Sequence, residues 1–470
     1  MSIPNLLAER YAGGQMRAVW SPESKIRRER EFWVAVLEAQ RTLGVEIPAG
    51  ASAAYRAVID DIDPASIARR ERRLRHDVMA RLEEFCALAG CEYLHWGLTS
   101  RDVTENVEQT QIRDALVLVR TKATAAVGRT ARRAAELASA PLAARTHNVP
   151  AQVTTYGRRF AAAGEELLGA VGRLEALVED YPLRGLKGPV GTQADLLALL
   201  GGDPAKVEAL EAAVAERLGF ARTLGAVGQI YPRSLDLDVV SCLLGVASGP
   251  ADLAVTVRLM AGHELLREGL SDGQAGSSAM PHKMNARSCE RINGLTTVLR
   301  GHLTMAAGLA GGQWNEGDVS CSVVRRIVLP DAFFAVDGIL ETYLTVLDEL
   351  QAFPEAAAEE IRRSAPLLSS AALLGAATSA GAERSRAHAV LRRHGAAAAE
   401  ALRSGRPYDL SAALEDDAEI PLTADAAAAA MKGAIEPGRA EAQVAEFLSE
   451  ATELLERYPE AREIDPEPIL

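Results

Sequence analysis

From about Val103 to Ser139 the chain carries no proline and one internal glycine, Gly128. A continuous helix over this stretch is roughly 55 Å long. A rod of that length cannot curl around a small core, so it needs partner helices of comparable length beside it. A second extended stretch, from about Glu290 to Ala310, carries Gly294, Gly301 and Gly308 at heptad spacing and therefore on one face. Each glycine costs up to about 1 kcal/mol relative to alanine in a helix interior. With Leu295, Val298, Leu299, Met305 and Leu309 beside them, the glycines predict a neighbouring helix packed unusually close.

Shorter helical signals fill the rest of the chain. Ser21-Pro22-Glu23 is an N-cap, a first-turn proline and an early acid, followed by Ile26, Trp33, Val36, Leu37 and Leu43, with Gly44 as the stop. Val207, Leu210, Val214 and Leu218 repeat on one face ahead of Gly219, and Glu441–Leu455 is amphipathic. Apolar residues make up 48% of the chain but aromatics only 4%, which suits an aliphatic, alanine-rich core of close-packed helices. Alternating strand patterns are scarce. The expected fold is all-α: three helical domains over residues 1–102, 103–354 and 355–470, the middle one a long helical bundle and the last a smaller cap.

Composition also narrows the partners. A formal charge of −13 leaves no overall basic field for nucleic-acid binding. Glu9 and Arg10 interrupt the opening segment where a secretory signal needs an apolar run. The charge-free stretch Ser364–Ala382 is broken by Pro366 and Gly375 and reads as a buried helical segment instead of a membrane span. The 5 cysteines form no C-x-x-C pair and no Cys/His cluster with metal spacing. A cytoplasmic protein with reduced thiols, no metal and no organic cofactor is the expectation.

Four constellations could carry chemistry. Gly276-Ser277-Ser278-Ala279-Met280-Pro281-His282-Lys283-Met284-Asn285 has the residues of a mobile loop that presents two hydroxyls near an ammonium. Serine acts as a base only where its alkoxide is stabilised by N–H donors and a cation in a closed site. Ala144-Arg145-Thr146-His147-Asn148-Val149-Pro150 places His147 among polar residues after the long helix. His95-Trp96-Gly97-Leu98-Thr99-Ser100-Arg101-Asp102 sets two hydroxyls at the start of that helix, as an ordinary N-cap or as an anion site. Leu74-Arg75-His76-Asp77 is a charge cluster within an arginine-rich stretch. His263, His302, His388 and His394 are taken as structural.

The first of these motifs resembles the signature of the fumarase/aspartase superfamily, G-S-S-x-x-P-x-K-x-N. The other three, in this order along the chain, narrow the resemblance to its adenylosuccinate lyase branch, and the likeness extends over most of residues 1–345. It implies β-elimination of fumarate from a succinylated purine nucleotide or its ribotide precursor, in a homotetramer whose sites are each assembled from three chains. By the same resemblance Ser277 is the base and His147 the general acid. Lys283 and Asn285, with Ser278 beside them, hold the succinyl carboxylates and the intermediate. Arg10, Tyr11, Arg75, His76 and Asp77 bind the nucleotide, while Thr99 and Ser100 grip the succinyl group with His95 as a helper. Gln229, Ser322 and Arg326 are further substrate contacts. The chain departs from the pattern at Ala286, Ala144 and Gly317, where relatives usually carry proline, glycine and, in many cases, arginine. The last departure removes a cation that Arg325 or another residue must replace. Competing readings are a sibling acting on another N-succinyl compound such as argininosuccinate, and a non-catalytic helical scaffold or nucleotide-binding protein. One inference is independent of the resemblance: His95–Ser100 and Thr146–His147 flank the long helix, so if both serve one reaction centre they come from different subunits.

Overall fold

The computed structural model describes residues 5–269, 280 and 283–468, and these are predominantly helical. In the N-terminal region, α1 (Pro22–Thr42) is capped by the Ser21 hydroxyl, which accepts from the Ser24 N–H, and the chain turns away at Gly44 with φ +97°. Helices α2 (Pro64–Leu74) and α3 (Asp77–Ala89) meet at a sharp corner where Arg75 takes φ +53°. Phe32, Trp33, Tyr55, Phe85 and Leu82 bury together here. Arg30 is enclosed in the same core, where it donates to Glu84 at 2.6 Å and to the Val58 and Ile59 carbonyls, so the buried charge is paired although its Nε has no partner.

The proline-free stretch is one unbroken helix, α4 (Ser100–Glu136), of 37 residues. A hairpin, β1 (Pro141–Thr146) and β2 (Val149–Thr155), carries the chain into α5 (Tyr156–Asp180), which packs along α4. At that junction a Cβ on Gly157 would stand 2.4 Å from the Ala134 carbonyl, so only glycine lets the two helix ends touch. Helix α6 (Pro204–Arg217) returns Val207, Leu210 and Val214 to the N-terminal core. Three further long helices, α7 (Ser234–Gly262), α8 (Arg287–Ala307) and α9 (Ser320–Glu349), complete the bundle with α4 and α5. By length and composition α7 could cross a membrane, yet it packs against α5, α8 and α9. Its Val239, Val240, Leu243, Val246 and Ala247 belong to the aliphatic core. From Ala332 to Leu344, α9 is buried on every side. The two carboxylates this encloses, Asp337 and Glu341, both lie 2.5 Å from Lys122 Nζ of α4.

The glycine row of α8 is not a close-packing seam within this chain. A Cβ at Gly294 or Gly301 would meet nothing within 4 Å, and at Gly308 only carbonyls of the preceding turn. The packing face is instead Ile292, Leu295, Leu299 and Ala306, against α7 and α9, and the glycines lie on the outward side with Val298 and Met305.

The C-terminal region begins with α10 (Pro354–Leu368), which covers the β1–β2 hairpin, and continues to α11 (Arg384–Arg403) over a small core of Leu373, Ala377, Val390, Leu410 and Leu414. The Ser364–Ala382 stretch is helical but breaks at Ser369, and only one side of it is buried; it is amphipathic where a wholly buried segment was expected. The last long helix, α12 (Ala440–Arg457), docks on α4 and α5. Phe447 lies against Gly164 and Leu455 against Gly128, the single glycine of α4.

Candidate active site

The start of α4, the α2–α3 corner and the first turns of α9 converge on one cavity of about 660 Å³. It is lined by Arg75, His76 and Asp77 from the corner, Thr99 and Ser100 from the helix start, Gln229, and Ser322 and Arg326 from α9. Segments far apart in sequence are thus brought to one place. His76 caps α3: its Nδ1 accepts from the Met79 N–H at 3.4 Å, and its Nε2 lies 3.3 Å from Ser100 Oγ. With Nδ1 accepting, the neutral ring carries its proton on Nε2 and donates it to the serine oxygen. The Ser100 hydroxyl proton is then left to donate into the cavity. Asp77 is braced by Arg81 at 3.2 Å; burial alone would raise the Asp77 carboxyl, but the guanidinium holds it below its ordinary range.

Behind the hydroxyls lies Asp102, fully buried in the first turn of α4. Its Oδ2 accepts from the Thr99 N–H at 2.8 Å. Its Oδ1 accepts from Arg184 Nη1 at 2.6 Å and from the N–H groups of Lys187 and Gly188 at 2.9 and 3.0 Å. The ordinary N-cap role of Thr99 is therefore real, and the same carboxylate pins the 184–188 loop to the helix start. His95 is not among the lining residues. Its Nδ1 accepts from Trp33 Nε1 at 3.1 Å with its backbone at φ +69°, and burial pushes its imidazole pKa down, so it is a neutral ring with the proton on Nε2.

The cavity floor is an ion network. Glu105 accepts from Arg101 Nη1 at 3.0 Å and Arg233 Nη2 at 2.9 Å. Arg325 donates to Asp236 at 2.7 Å and Glu108 at 2.6 Å and also contacts the Tyr231 hydroxyl. Lys25 joins Glu108 at 3.3 Å. Burial would raise both glutamates; the surrounding guanidiniums outweigh it, and Glu108 falls to about 2. Arg325 is therefore committed to the floor and is not a spare cation. Its neighbour Arg326, turned about 100° further round the helix, is 69% exposed and lies 3.8 Å from Asp77.

Other sequence candidates lie elsewhere on the chain. Tyr11 follows the short helix Leu6–Arg10 and presses its backbone on Gly338, which is about 24 Å along α9 from Ser322. Arg291, in the second turn of α8, stands over the Tyr11 ring at 5.8 Å; Arg10 and Lys283 are exposed. Glu268 anchors the α8 N-terminus, accepting from the Ser288 and Cys289 N–H groups at 2.8 and 3.0 Å. Ser277 and Ser278 lie outside the described residues. His147 is exposed at the hairpin tip: with Asn148 it forms a two-residue turn at φ +51° and +62°, the left-handed pair that matches strand twist. Arg145 braces the turn, donating to the Asn148 carbonyl at 3.1 Å and pairing with Glu360.

Comparison with known proteins bears on this geometry. A family model described as a lyase matches residues 15–301. The chain is 34% identical over 391 residues to an adenylosuccinate lyase of Saccharomyces cerevisiae, covering 82% of this chain and 81% of the yeast protein. It is 33% identical to that of Schizosaccharomyces pombe over the same shares. The chain belongs to the adenylosuccinate lyase family. A solved structure of 3-carboxy-cis,cis-muconate lactonizing enzyme from Pseudomonas putida has a TM-score of 0.83 at 22% identity, covering 96% of this chain and 100% of that one, and so shares the fold.

The chain's departures from the adenylosuccinate lyase pattern fall at places with visible backbone consequences. Ala144 sits at the register shift of β1, and Ala286 is the N-cap residue of α8. Gly317 has φ +149° and packs on Gln229 and Ile230, a conformation that suits glycine. The cavity also contains residues that the sequence reading passed over, Lys25 and Arg101 among them. Arg101 stood inside a quoted motif, and its place one residue after the paired hydroxyls was the available signal.

Proposed function

We propose that this protein splits a carbon–nitrogen bond by β-elimination, releasing fumarate from adenylosuccinate to leave AMP, and making the same cut in the succinylaminoimidazole carboxamide ribotide to leave AICAR. The observation that carries the reading is the cavity itself: residues from the corner, the α4 start, the Gln229 loop and α9, each matched to the adenylosuccinate lyase pattern, line one space of about 660 Å³. An elimination needs a base for the carbon-bound proton, donors for the carbanion and an acid for the departing nitrogen. In this reading Ser277 takes the proton, Lys283, Asn285 and Ser278 hold the carboxylates, Thr99 and Ser100 grip the succinyl group, and His147 protonates the nitrogen. Arg10, Tyr11, Arg75, His76 and Asp77 receive the nucleotide, with Gln229, Ser322 and Arg326 as further contacts.

A homotetramer with shared sites completes it. Helix α4 is about 55 Å long, residues 137–140 turn at its end, and the chain from Ala140 to His147 can return at most about 25 Å, so one chain's Ser100 and His147 stay on the order of 30 Å apart. Apolar side chains left outward on the bundle, Val255 and Leu259 of α7, Val298 and Met305 of α8, Val323 and Ile327 of α9, supply surface for assembly. The reaction is placed in the cytoplasm with a small-molecule substrate. An ultraviolet time course with purified adenylosuccinate, repeated with argininosuccinate, tests the reading: turnover of the first only is expected, and turnover of neither would refute it.

A further inference from the structure

Arg101 reaches across the cavity from α4 to α9, where its Nη2 donates to Ser322 Oγ at 2.8 Å. Because the serine oxygen accepts that bond, its own proton is free to donate elsewhere. The surrounding charges do not balance. Lys25, Arg101, Arg233 and Arg325 face Glu105, Glu108 and Asp236, and Glu105 alone is shared among Arg101, Arg233 and, at 3.7 Å, Arg325. Asp318 is the other carboxylate near Arg101, and its Oδ1 is turned to the Ser320 N–H at 2.6 Å and to the Ser320 hydroxyl. Gly317 contributes no side chain to this corner. The guanidinium that projects toward Ser322 is thus partnered, on that side, by a neutral hydroxyl. Arg326, mostly exposed one turn further along α9, adds a second cation.

We propose that Arg101, with Ser322 and Arg326, binds the phosphate monoester of the substrate, so that α4 supplies from its second residue a cation that the loop ahead of α9 lacks. The three residues line the same cavity, Arg326 also lying 3.8 Å from Asp77, and two guanidiniums with a hydroxyl donor suit a dianion with three terminal oxygens. Thr99 and Ser100, on the α4 side of the same cavity, offer hydroxyl donors, which suits the succinyl carboxylate. The assignment rests on the function proposed above, with Arg101 as a binding residue selective for the phosphorylated substrate.

The test compares adenylosuccinate with succinyladenosine, the same molecule lacking the phosphate, on the wild-type enzyme and on Arg101→Gln. For R101Q, KM for adenylosuccinate should rise at least about tenfold, the usual weight of a hydrogen bond to a charged group, while kcat/KM for succinyladenosine falls by a clearly smaller factor. An equal loss on both substrates, or no loss on adenylosuccinate, overturns the proposal. If R101Q does not fold, Arg101→Lys carries the same comparison, because one ammonium cannot span Glu105 and Ser322 together. A clearly larger loss on the phosphorylated substrate again supports the assignment, and an equal loss again defeats it. Failure of the wild type to turn over either compound would instead refute the proposed function.

Discussion

Asp102→Ala is the substitution whose cost the geometry states most directly. The carboxylate holds four donors: Arg184 Nη1 at 2.6 Å, the Lys187 and Gly188 N–H groups at 2.9 and 3.0 Å, and the Thr99 N–H at 2.8 Å. Asp102 and Arg184 are both 0% exposed. The other bonds of Arg184 go to the Gly185, Gly188 and Gly228 carbonyls, so no second carboxylate is bonded to it. Breaking a buried pair by removing one partner costs about 3–5 kcal/mol, and the stranded backbone donors place the expected loss at the upper end, about 5 kcal/mol. Urea unfolding at fixed protein concentration measures it, since any assembly contribution is then held constant. The double variant with Arg184→Met removes the stranded charge and should recover about 2–3 kcal/mol of the loss. A single variant within about 1 kcal/mol of wild type, or a double variant as unstable as the two singles summed, would refute the reasoning.

Three further outcomes are expected. Inactive His76→Ala and His147→Gln proteins, mixed under conditions of subunit exchange, should regain part of the turnover that each lacks; persistent inactivity of the mixed assemblies would count against shared sites. Gly164→Ala sets a Cβ 2.2 Å from Phe447 Cζ and should destabilise the docking of α12 by about 1–3 kcal/mol, read as a lower urea midpoint; an unchanged midpoint contradicts that packing. Glu38 would be raised by burial, but hydrogen bonds from Arg56 and Ser52 and the charge of Arg217 hold it at about 2. Its contribution is complete above the unfolded value of about 4.3 and fades as pH falls through 2. Glu38→Gln should therefore be less stable than wild type at neutral pH and converge with it in strong acid, in urea midpoints taken across that range.

The helices were legible because their signals are local. Ser21, Pro22 and Gly44 bound α1 by capping chemistry, and the absence of proline from Val103 onward foretold α4 to within a turn. The hairpin at 141–155 was not foreseen, since its turn is His147-Asn148 and lacks the glycine that marks such turns. The α8 glycines meet no neighbouring helix of this chain; a sequence shows that a face is small but not which chain covers it. The cavity residues were legible through motifs, yet adjacent arginines proved to have opposite fates: Arg325 is locked to Asp236 and Glu108, while Arg326 faces solvent. Asp102 read as the boundary of a helix; its grip on Arg184 depends on a loop 82 positions away and has no local trace.

His147 sits where an L-residue pays for a left-handed backbone and where glycine would relax it. Exchanging the imidazole for a hydrogen atom is therefore expected to ease the bend and, under the role proposed for His147, to silence the chemistry. Thermal hardening pursued without an activity screen would discard this ring early. Library designs that reward heat resistance should hold that codon constant.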